Sequence, residues 1–180
     1  PKLLSSSFNR KYIDTSIKNF PKNVDWRRKG VVSPIRNQLS CGSCWTFSTV
    51  ATIESHLAIK TGQLLDLSEQ QLVSCVENPR HCGGKGGCNG ATEELGFDYV
   101  AKNGLALEDD FPYLGTNADC DTNLLGKAAV RLDDFVKLPE NDYNALMKTL
   151  TEIGPVAVSV DASDFSLYDS GVFNGLDGDC

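Results

Sequence analysis

The chain is 180 residues long and contains no apolar run approaching the ~18 residues that a membrane-crossing helix needs. A membrane partner is therefore not expected. No cluster of basic residues stands out among its 17 lysines and arginines, which makes nucleic acid a poor candidate partner. No stretch is both rich in charge and poor in hydrophobic residues, so a long disordered tail is not expected. No Asn-x-Ser/Thr sequon and no internal repeat occurs. Only two histidines are present, His56 and His81. The N-terminus lacks an initiator methionine and the basic, apolar and cleavage regions of a signal peptide, and reads as an internal start within a longer precursor.

What is present bounds the answer from the other side. Hydrophobic residues make up 41% of the chain and are spread along it, enough for one sizeable core or two small lobes. Twenty-four acidic residues leave a net charge of -7, which suits plain solubility. Seven cysteines (Cys41, Cys44, Cys75, Cys82, Cys88, Cys120 and Cys180) favour an oxidising compartment. Their odd number leaves either one working thiol or one partner elsewhere.

Local patterns place the elements. Residues 1–19 are polar and weakly patterned, as in a linker or leader. From 21 to 40, short apolar pieces broken by Gly30 and Pro34 suit extended strands and turns. From Ser43 to Lys60 there is no glycine or proline. Trp45, Phe47, Val50, Ala51, Ile53, Leu57 and Ala58 recur there at mainly helical spacing, which predicts a buried central helix stopped by Gly62. Ser68-Glu69-Gln70-Gln71 reads as a capping box opening a short helix. A Gly- and Cys-rich loop follows over 78–90, then a helix over 91–101. Residues 129–138 suit a strand, and 142–153 a helix closed by Gly154-Pro155. Val156, Val158 and Val160 alternate with polar or small neighbours, predicting a half-buried strand over 156–161. Helices first and strands later indicate an α+β protein with two lobes, dividing near 117–123.

The chemistry concentrates at Cys41-Gly42-Ser43-Cys44-Trp45. A thiol at a helix start feels the positive end of the helix dipole and free backbone N–H groups, both of which favour the nucleophilic thiolate. Gln38 lies six residues upstream. Its side-chain amide and the Cys44 N–H could aim at one point, forming an oxyanion hole for a tetrahedral acyl intermediate. Alone, a loop glutamine is ordinarily a solvated polar residue.

The segment from Gln38 to Ser48, QLSCGSCWTFS, resembles the active-site segment of papain-like cysteine proteases, especially the cathepsin L-like ones. Val24-Asp25-Trp26-Arg27, the run from Leu67 to Cys75, Gly87-Cys88-Asn89-Gly90, Pro112-Tyr113 and Gly154-Pro155-Val156 recur in that family in the same order. The resemblance runs from about Phe20 to Cys180. It implies a papain-like two-lobe fold: a propeptide tail over 1–19, a helical lobe over 20–120 with a central nucleophile helix, and an incomplete β-barrel-like lobe over 121–180. It implies Cys44 as nucleophile, Gln38 as oxyanion donor, and disulfides Cys41–Cys88 and Cys75–Cys120, with Cys180 paired to a cysteine not in this sequence. Gly90 and Ala91 would offer backbone contacts to an extended substrate. Thr92 and Ser159 would line the pocket for the second residue on the acyl side of the scissile bond, where their small size leaves room for a bulky apolar side chain. Peptide or protein substrates, the protein's own propeptide as inhibitor, no cofactor or metal, a monomer, and a lysosomal, vacuolar or secreted location are the corresponding expectations.

Three positions depart from the family pattern. Leu39 stands where glycine is usual and should crowd its turn. Ala91 replaces a glycine at the cleft edge. Cys82 is an extra cysteine that competes with Cys88 for Cys41. The family's imidazole base is also unaccounted for. His56 lies twelve residues beyond Cys44 on the same helix, roughly 18 Å away at 1.5 Å per residue. His81 sits in the Cys-rich loop, where a structural or solvent-facing role is the ordinary one. The base and its orienting asparagine are therefore expected outside these residues, which by themselves should be inactive. The alternatives are an inactive papain-fold protein with a binding or regulatory role, a Cys41-x-x-Cys44 oxidoreductase, and a zinc site drawn from Cys41, Cys44, Cys75, His81, Cys82 and Cys88.

Overall fold

The computed structural model describes residues 2–4, 19–163 and 165–173. Most of the expected leader, and Cys180 with its pairing, lie outside the described residues.

The longest helix, α1, spans Cys44–Thr61. Ser43 is its N-cap residue, and Gly62 ends it in the left-handed conformation at φ 73°, donating its N–H to Ala58. Burial runs around most of α1, taking in Trp45, Val50, Ile53, Leu57 and Ala58 but also Thr46, Thr49, Glu54 and Ser55. The buried threonine hydroxyls solve their own polar problem by donating back to helix carbonyls: Thr46 to Ser43 and Thr49 to Trp45.

Helix α2, Glu69–Cys75, starts as the capping residues predict, with Ser68 Oγ accepting the Gln71 N–H at 3.0 Å. The reciprocal arm of the box does not form. The Ser68 N–H goes instead to the Ala106 carbonyl, and the Gln71 side chain accepts from the Ala106 N–H and donates to Gly104 and Tyr99. Gln71 is thereby spent on joining α2 to the chain that follows helix α3, Glu93–Asn103.

The core lies where these helices meet: Trp45, Val50, Ile53 and Leu57 of α1, Leu67 and Leu72 around α2, Val100 of α3, and Leu105, Val130 and Leu132 beyond it. A fourth helix, α4 (Tyr143–Glu152), is capped by Asp142, whose carboxylate accepts the Ala145 N–H at 2.9 Å. Two short parallel strands, β1 (Lys2–Leu4) and β2 (Val130–Leu132), pair with Lys2 opposite Val130.

Three extended-structure expectations are corrected. The 21–40 region holds a 3-10 turn at Trp26–Lys29 and no strand. The strand expected over 129–138 shortens to β2. The strand expected over 156–161 does not form, and Val158 and Val160 are exposed at 56% and 63%. Alternation supplies a face but no ladder; a strand also needs a partner chain for its N–H and C=O groups, and no described residue pairs with this one.

A partly buried charge cluster gathers around Arg36. The Arg36 guanidinium donates to Glu54 at 2.8 Å, to Glu69 at 2.6 Å and to Asp66. Glu54 also accepts the Leu67 N–H. Arg36 thus ties residues 36–43 to α1 and α2 by charge-assisted bonds.

Candidate active site

From Arg36 the chain makes a tight turn. Asn37 Oδ1 accepts the Leu39 N–H at 2.8 Å, and Leu39 adopts φ 55°. Its side chain lies against Gly115, where even a Cβ would come within 2.8 Å of Leu39 Cδ1. Leucine therefore does crowd this turn, and Gly115 supplies the space. The Gln38 side chain folds back, and its Nε2 donates to the Cys41 carbonyl at 2.7 Å. One amide N–H is used in this way; the second is not engaged by any described residue. The amide is therefore held at the loop that carries Cys44.

Cys44 is the first residue of α1 and its thiol is free and exposed. Its neighbour Cys41 is buried and disulfide-bonded to Cys88. That pairing removes the dithiol on which a Cys41-x-x-Cys44 redox reaction depends. The second disulfide, Cys75–Cys120, ties the end of α2 to a distant loop. With Cys41, Cys75 and Cys88 consumed as disulfides, three of the five thiolates of the zinc alternative are lost to it. Cys82 remains free, its backbone clamped on both sides by the Asn78 side chain, at 2.9 Å each. It does not displace Cys88.

The Cys-rich loop is fastened to the start of α1 by more than the disulfide. The Gly42 N–H donates to the Cys88 carbonyl at 2.9 Å, and the Trp45 indole N–H donates to Gly87 at 3.1 Å. A Cβ at position 42 would meet the Cys88 oxygen at 2.6 Å, so only glycine permits this approach. Asn117 accepts the Cys88 N–H from the other side. Gly90 and Ala91 follow directly and lead to Thr92, the N-cap residue of α3. Ser159 comes from the irregular segment after Pro155 and donates to both carboxylate oxygens of Glu93, at 3.2 and 3.0 Å. Thr92 and Ser159 are thus brought to the same end of α3.

Neither histidine bonds to the thiol. His56 Nε2 lies 2.9 Å from the Pro155 carbonyl and joins α1 to the 154–156 segment. His81 is exposed in a turn of the Cys-rich loop at φ 55°.

One residue that sequence reasoning passed over organises the site. The Tyr113 hydroxyl donates to the Gln38 carbonyl at 2.8 Å and lies 2.6 Å from Ser43 Oγ, while its ring packs edge-on against Phe47 with centroids 5.0 Å apart. With its proton on Gln38, the phenol accepts from Ser43, so it bridges the Gln38 loop and the cap of α1. The Tyr113 N–H is held in turn by Glu108 at 2.7 Å. In sequence this tyrosine belongs to an irregular aromatic segment with no periodicity to give it a direction.

Comparison with known proteins gives a consistent result. The family model described as papain family cysteine protease matches residues 20–180. The oryzain beta chain of Oryza sativa subsp. japonica is 41% identical over 174 residues, covering 95% of this chain and 36% of that protein. The KDEL-tailed cysteine endopeptidase CEP2 of Arabidopsis thaliana is 44% identical over 167 residues, covering 91% of this chain and 45% of that protein. This chain therefore spans less than half the length of both relatives. Among solved structures, digestive procathepsin L 3 from the larval midgut of Tenebrio molitor superposes with a TM-score of 0.80 at 34% identity, covering 91% of this chain and 52% of that one. A Carica candamarcensis cysteine protease in complex with E-64 gives 0.77 at 40% identity, with 87% and 71% covered.

Proposed function

This chain belongs to the papain family of cysteine proteases, and from that premise we propose that the whole protein is an endopeptidase working through the Cys44 thiolate. The observation that carries the proposal is the free, exposed thiol on the first residue of α1, beside a Cys41 already committed to Cys88.

In this reading the Cys44 sulfur attacks the scissile carbonyl carbon, and the carbonyl electron pair moves onto oxygen. The second N–H of the Gln38 amide and the Cys44 backbone N–H receive that oxyanion. Collapse breaks the C–N bond and leaves a thioester, from which water later releases the acid and restores the thiol. The departing amine needs a proton. His56 is turned to Pro155 and His81 stands in solvent; in this reading an imidazole and an asparagine from outside residues 1–180 supply it. The backbone of Gly90 and Ala91 holds an extended peptide, and Thr92 and Ser159 border the pocket for its second acyl-side residue. The propeptide is the natural inhibitor, occupying the same cleft; 1–19 is its tail, and 20–120 and 121–180 are two lobes. We assign a monomer in a lysosome, a vacuole or the extracellular space, in keeping with two disulfides.

The test is turnover of a fluorogenic peptide by the full-length protein, with trapping by a thiol electrophile and peptide mapping. Activity lost with Cys44→Ala, and adduct on Cys44, is the expected result. Activity that survives Cys44→Ala, or a Cys41–Cys44 disulfide, overturns the assignment.

A further inference from the structure

Residue 93 lies next to Thr92, at the start of α3, and is a glutamate. Its carboxylate receives the Ser159 hydroxyl at 3.0 and 3.2 Å. An anion therefore sits between the two residues read as bordering the substrate pocket. A carboxylate offers about four acceptor sites, of which one hydroxyl proton occupies a small part. No cation among the described residues pairs with it. The lysine that pairs with the neighbouring acid is committed elsewhere: Lys137 is bound to Glu94 at 3.3 Å and to Glu140 at 3.2 Å. Glu94 is accordingly neutralised, its carboxyl held below the usual range first by a backbone N–H and then by Lys137 and Thr92. Glu93 is the acid of this helix end that no basic side chain among the described residues pairs with.

We propose that Glu93 is the specificity-determining residue of this pocket and selects an arginine or lysine side chain at the second acyl-side position of the substrate. The proposal rests on the protease reading above and deepens it. A cationic side chain meets both features of the site. Its aliphatic stem fills the room left by the small Thr92 and Ser159, where a purely apolar side chain was expected, and its charged head meets the carboxylate. A guanidinium can engage both Glu93 oxygens at once, which favours arginine over lysine. Glu93 touches the substrate side chain and takes no part in the bond-breaking step.

The experiment uses the full-length protein and paired fluorogenic peptides that differ only in Arg, Lys, Leu or Glu at that position. The wild type should favour Arg over Leu in kcat/KM by about three- to tenfold. That preference should shrink as KCl is raised from about 50 to about 500 mM, because the pair is partly solvated. Glu93→Gln keeps a group able to accept from Ser159 but removes the charge, and should abolish the preference. Glu93→Lys should shift it toward the Glu peptide. If both peptides are cleaved and the Arg/Leu ratio is the same in wild type and Glu93→Gln, the role of Glu93 is refuted while the protease reading stands. If no peptide is cleaved and the electrophile does not label Cys44, the protease reading falls and this inference falls with it.

Discussion

The Tyr113 hydroxyl bonds the carbonyl of Gln38, 75 residues earlier in the chain, at 2.8 Å, and so holds the loop that carries the Gln38 amide. The same hydroxyl meets Ser43 at the cap of α1. The Gln38 loop and the start of α1 therefore share one phenol.

Tyr113→Phe keeps the ring against Phe47 and removes both hydroxyl contacts. Loss of the bond leaves the Gln38 carbonyl and Ser43 without their partner, at a stability cost of about 1–3 kcal/mol. In the full-length enzyme kcat should fall several-fold with KM moving less, because the donor is mispositioned and the cleft is intact. Steady-state kinetics beside a denaturation curve measure both. Unchanged kcat with lowered stability would confine Tyr113 to a packing role.

Gln38→Ala removes the side-chain donor itself. The expected drop in kcat is about 10- to 1,000-fold, as for loss of one oxyanion donor, with a smaller effect on KM. An undiminished kcat takes Gln38 out of the mechanism.

Leu39 holds φ 55°, a conformation that costs an ordinary L-residue about 1–2 kcal/mol. The residue is 62% exposed, so little burial offsets the strain. Leu39→Gly should raise stability by about 0.5–1 kcal/mol, after allowing for glycine's greater freedom in the unfolded chain. A fall in the urea midpoint would mean that the contact with Gly115 outweighs the backbone strain.

Burial pushes the Glu69 carboxyl up to about 7, against the pull of Arg36, and raises Glu108 as well. A carboxyl raised in the folded state binds its proton there more tightly than in the unfolded chain. Stability should therefore increase as pH falls from about 7 toward 4.5, by up to roughly 3 kcal/mol for Glu69. Melting temperatures across that window test it. Glu69→Gln, which still offers Arg36 an acceptor, should flatten the slope.

The catalytic segment was legible because its signals are short-range. CGSCW sits at a helix start whose boundaries, Gly42 and Gly62, are written within the sequence itself. What surrounds it was less so. Asp25 stands in the sequence only as part of a family motif, yet its carboxylate accepts the Arg27 N–H and starts the 3-10 turn at Trp26. The turn cancels the extended reading of that region, since a cap of this kind leaves no mark on hydrophobic alternation.

By itself the sequence determined where α1, α2, α3 and α4 form, to within a few residues, and which cysteine begins the central helix. Helical hydrogen bonds and caps join residues no more than about four apart, so the determinants of each helix lie inside it. Only the tertiary structure decided that the Gln71 side chain leaves its capping box for Ala106, that Val156–Val160 has no ladder, that Tyr113 reaches Gln38, and that Ser159 bonds Glu93. The last two contacts join residues 75 and 66 positions apart. Such pairs are chosen by how the core of α1, α2 and α3 packs, and a side chain in an irregular segment acquires a direction only when that packing gives it one.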